Sequence, residues 1–269
     1  MRVLLFAIAC LATFNVIYVP ERALAQTDAG QSPRVATAPV VPSPPNPDAV
    51  ETPPKPLTFT YMLFWRDSNV KVQQMEATLK AVSTRRQGQM EWSSVNVNDP
   101  TNQLLVERYQ VSRAPMPLVL CVASNGAITG AFTSQLSEAA VERAIITPAM
   151  ADVTKALQDK KIVLLHVKAN AESQLPQGAT DFAADPNFQA RTTIIHFVAT
   201  DPVEARFMTD MKLIASDVRD SRLVVMAPPA VLVGKFAANT TKDQIAAQLH
   251  AAGKCCDDPN CKHNKGAQQ

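Results

Sequence analysis

Two apolar runs, Met116–Ala123 and Ala127–Phe132, are separated only by Ser124-Asn125-Gly126. An Asn-Gly pair between apolar runs predicts a tight antiparallel hairpin, because both central turn positions take positive φ and these residues tolerate it. The chain leading into it alternates strand and helix signals. Phe59–Trp65 reads as a buried strand, and from Asn69 to Arg86 the residues Val72, Met75, Leu79 and Val82 recur at helical spacing. A second strand, Met90–Asn98, ends at Asn98-Asp99-Pro100, where Asp99 caps and Pro100 fits the first turn of a helix reaching Tyr109. A further helix follows the hairpin from Ser134 to Ile146. The order is βαβαββα, an α/β arrangement.

The second half repeats the pattern, and a repeat constrains a fold more than any single motif. Pro148 breaks the chain, and Ala149–Lys160 reads as a linking helix. Lys161–Val167 is a strand, Phe182–Arg191 a helix interrupted at Pro186, and Thr192–Ala199 a strand ending in Thr200-Asp201-Pro202, the same device as Asp99-Pro100. Val203–Ile214 is a helix, Ala227-Pro228-Pro229-Ala230-Val231-Leu232-Val233 echoes Ala114-Pro115-Met116-Pro117-Leu118-Val119-Leu120, and Asn239–Ala252 closes with a helix. The second copy is expected to diverge. Asp201 to Ala227 spans 26 residues against 15 from Asp99 to Ala114, and only Gly234 suggests a turn for a curtailed last hairpin.

Tyr109 stands six residues before Pro115, ahead of a buried strand and its hairpin partner. This resembles the second half of a thioredoxin domain, and the resemblance covers about residues 59–146. It implies two thioredoxin-like domains, each a mixed sheet flanked by helices, over 58–147 and, more divergently, 148–253, with Pro115 as a cis-proline. In catalytic members a Phe-Trp strand end precedes a Cys-x-x-Cys whose thiol is activated at a helix N-terminus. Phe64-Trp65 matches the strand end, but the cysteine positions fall on Asn69 and Val72, and the second copy carries Lys168-Ala169-Asn170-Ala171-Glu172 there. Neither site holds a thiol. The resemblance leaves a peptide groove beside the proline, lined by Arg66, Asp67, Ser68, Asn69, Arg113, Ala114, Pro115 and Met116, that adds an extended partner to the backbone. The other reading is that Pro115 only shapes its loop.

The flanks point to export. Arg2, the apolar run Val3–Val19 and Ala23-Leu24-Ala25 before Gln26 form a signal peptide over 1–25, with an uncleaved anchor as the alternative; its cleavage site looks bacterial, and the destination is periplasmic or extracellular. A Pro-rich disordered linker follows over 26–57. Cleavage takes Arg2, Arg22 and Glu21 from 26 basic and 24 acidic residues, so a single positive charge remains in excess. That near-neutral balance gives no electrostatic case for nucleic acid, and no later run is apolar and long enough to span a membrane.

The mature chain keeps Cys121 mid-strand, read as buried and inert, and a Cys-rich tail over 254–269. There Cys261 pairs with Cys256 or Cys255 in a disulfide that leaves one thiol for intermolecular pairing, or Cys255, Cys256, Cys261 and His263 hold Zn or Cu, or the tail has no such role. His166 and His196 fall on adjacent strands of the second copy, where two imidazoles side by side could begin a metal site but have no cysteine or acid placed to complete it, so they read as core histidines satisfied by neighbours; His250 reads as exposed. No Ser/His/Asp array, phosphate loop or His-Glu-x-x-His motif occurs. The expectation is an exported, redox-inactive binding or assembly module without a cofactor, its partner a protein or peptide of the export compartment. The alternative is a thiol or soft-metal handler working through the tail.

Overall fold

The computed structural model describes residues 57–253, which belong to one compact unit. The signal peptide, the Pro-rich linker except Leu57, and the tail with Cys255, Cys256, Cys261 and His263 lie outside the described residues. Two four-stranded mixed sheets carry the fold. In the first, β1 (Phe59–Trp65) pairs in parallel with β2 (Met90–Asn96) and antiparallel with β3 (Leu118–Ala123), which pairs antiparallel with β4 (Ile128–Thr133). The second sheet repeats the arrangement with β5 (Ile162–Lys168), β6 (Thr192–Val198), β7 (Ser221–Ala227) and β8 (Val231–Ala237). The strand orders β2-β1-β3-β4 and β6-β5-β7-β8 match, and both halves have the thioredoxin-like topology. No helix among the described residues is long and apolar enough to cross a membrane.

Strand alternation decides which helix covers which face. Phe59, Tyr61 and Leu63 of β1 point to the side of α1 (Val70–Arg85) and α3 (Glu138–Ala144), where they meet Val72, Met75, Leu79, Val82 and Val141. Met62 and Phe64 point the other way, toward Val106 of α2 (Gln103–Arg108). In the second sheet Ile162 and Leu164 face α5 (Gln177–Ala184) and α7 (Lys242–Ala251), while Val163, Leu165 and Val167 face α4 (Pro148–Gln158) and α6 (Ala205–Asp210). The Asp-Pro device works alike in both halves: Asp99 Oδ1 accepts the Thr101 amide at 2.9 Å, and Asp201 Oδ1 accepts the Val203 amide at 2.9 Å.

Four expectations change. In the first half the cis peptide precedes Pro117, not Pro115, whose bond to Ala114 is trans, so no cis-proline stands at the position on which the resemblance rested its groove; a second cis peptide lies at Pro228-Pro229. Only Gly126 of the Asn-Gly pair takes positive φ, +86°. Asn125 accepts the Ala127 amide at 3.0 Å through its side chain, beside the backbone bonds from the Gly126 amide to Ala123 O at 2.8 Å and from the Ala123 amide to Ala127 O at 2.9 Å. The second hairpin is full length, each strand having seven residues, and Pro228-Pro229-Ala230 is its turn, so Ala227-Pro228-Pro229 is no counterpart of Ala114-Pro115-Met116. The residue before β7, where the first half has Pro117, is Asp220. Finally, the helix expected over 182–191 is α5, ending at Ala184 and followed by a 3-10 turn at Gln189–Arg191.

The true register of the repeat is marked by glycine. Cys121 pairs with Gly130 and Val225 with Gly234, and each ladder shifts by one residue immediately after. A side chain on either glycine would run into the ring two residues on, Phe132 at 2.7 Å or Phe236 at 2.9 Å. Residues two apart on a strand share a face, so each ring lies over its glycine.

α4 joins the halves. Its Ala149, Val153, Ala156 and Leu157 belong to the second core, whereas Ala151 packs into the first. Gln158 at its end serves as a strand substitute for β4, accepting the Ile128 amide at 3.0 Å and donating to the Ile128 carbonyl at 2.7 Å. From the other side, Glu204 Oε1 accepts the Ala149 amide at 2.8 Å, and Arg206 donates to the carbonyls of Ile145 and Arg143 at 3.0 and 3.1 Å. The carboxylate thus meets the start of α4 and the guanidinium the end of α3, which is the favourable polarity at both termini.

Candidate functional site

The first half has a crevice where β1 stops, α1 starts and the chain enters β3. Residues 66–69 cross from strand to helix. Asn69 is extended, at φ −145° and ψ 176°, and its Oδ1 accepts the amides of Lys71 at 3.0 Å and Val72 at 3.1 Å. This side chain takes donors that a helix N-terminus otherwise offers to an anion. Val72, the second position where a thiol was sought, is buried in the core. Its side chain faces sheet and helix rather than solvent.

The opposite wall is residues 112–117. Gln110 turns the chain with φ 52°, Val111 is buried as an anchor, and Ala114 leaves the 3-10 turn extended with its amide on Val111 O at 3.0 Å. Ser112, Arg113 and Pro115 are exposed, Ala114 and Met116 half-buried, and Pro117 buried. The Arg66 guanidinium donates to the Ser112 carbonyl and ties the two walls together, while Asn98 Nδ2 donates to Arg66 O at 3.4 Å. Beneath, the Tyr109 ring packs on Phe64 at 6.2 Å, with Arg108 over it at 5.5 Å. All eight proposed groove residues therefore lie on two segments bridged by one hydrogen bond. Asp67, Ser68 and Asn69 are exposed on one wall, Arg113 and Pro115 on the other.

Sequence reasoning missed Ser112, whose only role is a backbone carbonyl, and Asn98, whose partner is 32 residues away. Pro117 had a visible signal, since it is the proline immediately preceding the strand.

The corresponding place in the second half is bridged by the Asp220 carbonyl, which accepts from backbone and side chain. Ala169 N donates to Asp220 O at 3.3 Å, Ser173 Oγ donates to the same carbonyl at 3.0 Å, and Lys168 Nζ donates to Ala171 O. His166 and His196 are register partners on β5 and β6. His166 is 3 % exposed, but its Nε2 has no hydrogen-bond partner, which departs from the expected satisfied core histidine; His196 and His250 are exposed.

Cys121 is wholly buried, and Thr129 donates its hydroxyl to the sulfur at 3.0 Å. Burial pushes its thiol up to about 11, outweighing the hydrogen bonds that favour the thiolate. A variant with Cys255, Cys256 and Cys261 changed to Ser and the signal removed should show no titratable thiol toward a bulky aromatic disulfide until denatured, then one. Rapid native-state reaction would place Cys121 at the surface and contradict this packing. Among the described residues no three of His, Cys, Asp and Glu are grouped to hold a metal ion.

No family model matches this chain, and no curated protein matches it. Among solved structures, human ERp44 (form II) is similar at 12% identity over 74% of this chain and 53% of its own, with a TM-score of 0.34. The NTD_N/C domain of alkylhydroperoxide reductase AhpF from Enterococcus faecalis gives 14% identity over 71% and 91%, at 0.28. ERdj5 (form II) gives 12% over 72% and 27%, at 0.27. This chain spans about half the length of ERp44.

Proposed function

We propose that the protein is an exported, non-catalytic binding module whose first thioredoxin-like domain grips an extended segment of a partner protein. One observation carries this reading: the helix opening that dithiol chemistry needs is filled by the Asn69 cap, while the facing wall stays open at Arg113 and Pro115 beside the half-buried Met116. Without a thiolate, the crevice offers shape, backbone groups and charge. An extended segment laid along residues 114–116 gains main-chain hydrogen bonds there, and the half-buried Met116 gives its side chains an apolar contact. Arg2, the run Val3–Val19 and Ala23-Leu24-Ala25 support export.

The test uses the mature exported protein in two assays. Purified protein should not catalyse thiol–disulfide exchange. A partner crosslinked from the export compartment should bind Met116→Asp about tenfold or more weaker, the scale of losing one anchoring contact. Binding should be unchanged when Cys255, Cys256 and Cys261 become Ser. Exchange activity, or capture that ignores Met116→Asp but vanishes with the tail cysteines, moves the function to the tail and overturns the reading.

A further inference from the structure

His166 and His196 stand opposite each other on parallel β5 and β6. Partners across a parallel ladder point to the same face, and the strands lie roughly 4.8 Å apart. Two imidazoles so placed are close enough to share one ion at metal–nitrogen distances of about 2.0–2.1 Å. In a folded protein a buried nitrogen without a partner calls for an explanation such as a bound ion, and His166 Nε2 is one of two such side-chain atoms among the described residues. The other, Glu204 Oε2, belongs to the clasp on α4. His196 is exposed on the edge strand, so an ion has a route from solvent.

We propose that His166 and His196 together chelate a divalent transition-metal ion, with water completing its coordination. No third His, Cys, Asp or Glu among the described residues joins them, so the site has two protein ligands. Lys168 lies two residues along the same face and opposes a cation, although its ammonium is engaged by Ala171 O. A site of two imidazoles beside a positive charge selects ions with strong nitrogen preference, Cu(II) above Ni(II) and Zn(II), and rejects Mg(II) and Ca(II).

The first sheet supplies the variants. Leu63 and Ser94 are register partners at the corresponding positions of β1 and β2. His166→Leu and His196→Ser therefore install residues the same architecture already carries. The experiment titrates Cu(II) into the mature chain bearing Cys255→Ser, Cys256→Ser, Cys261→Ser and His263→Ala, so that the tail contributes no ligand. Calorimetry should give one ion per chain, and the electron paramagnetic resonance spectrum should show coupling to two imidazole nitrogens. His196→Ser and His166→Leu should each abolish the two-nitrogen signal. If His166→Leu does not fold, His196→Ser decides alone, because its position is exposed. Absence of Cu(II) binding, or a two-nitrogen spectrum surviving His196→Ser, overturns the proposal.

Discussion

Gly178→Ala should destabilise the protein by about 3 kcal/mol, the upper part of the range for forcing atoms into a packed site. On propensity alone the change should help, since alanine is favoured over glycine inside a helix by roughly 1 kcal/mol. Contact distances reverse the sign. A Cβ at 178 would lie 2.3 Å from the Thr240 carbonyl oxygen and 2.6 and 2.7 Å from backbone atoms of Thr241. None of these is the end of a flexible side chain. They belong to the start of α7, where Thr241 and Gln244 form a reciprocal cap. Relief therefore requires α5 and α7 to separate, opening the contact around Phe182, Ile245 and Leu249. Denaturant unfolding of wild type and variant measures the difference. A midpoint shift equivalent to less than about 0.5 kcal/mol, the size of an ordinary surface substitution, would rule out the close approach.

The second large effect is at the seam. Glu204→Ala removes the acceptor for the Ala149 amide at the start of α4 and should lower stability by about 1–3 kcal/mol, the range for leaving a buried donor unpaired. Glu204→Gln keeps an oxygen for that amide and should stay within about 1 kcal/mol of wild type at neutral pH. The pair of variants also separates charge from shape. Burial lifts the Glu204 carboxyl above its usual range, against the Ala149 amide and the Thr147 hydroxyl, while Asp201 and Asp152 add to the lift. The folded protein thus holds this proton more tightly than the unfolded chain. Its ionised carboxylate opposes folding above the raised pKa. That penalty falls away as the pH drops through the raised value toward the ordinary carboxylate range. Stability profiles should therefore converge as the pH drops, where the protonated carboxyl resembles the amide, and separate at higher pH, where wild type carries a charge penalty that Glu204→Gln lacks. A difference independent of pH would mean that the carboxyl is not buried as described.

Local signals were legible where they act over a few residues. β1, the apolar spacing of α1, the caps at Asp99 and Asp201, and the thioredoxin-like order of elements can all be read along the chain. The repeat was legible but misaligned. The Ala-Pro echo at 227–228 is a coincidence of composition, because one Ala-Pro step precedes β3 and the other turns the second hairpin. The better marker was Gly130-Ala131-Phe132 and Gly234-Lys235-Phe236, two identical spacings explained by a ring packed on a glycine. At the crevice, the residue types on both walls were visible, but the bond that joins them was not. Arg66 and Ser112 are 46 residues apart, and one contributes only a carbonyl, which every residue has. The Glu204 clasp was hidden similarly, as its partner is 55 residues away.

α4 has a consequence for anyone dissecting this chain. A fragment stopping before Pro148 keeps the whole first sheet yet loses Ala151 from its core and leaves the Ile128 amide and carbonyl to water in place of Gln158. One starting after Gln158 strips Val163, Leu165 and Val167 of Ala149, Val153, Ala156 and Leu157. Either cut takes side chains of α4 from one of the two cores, Ala151 from the first or Ala149, Val153, Ala156 and Leu157 from the second.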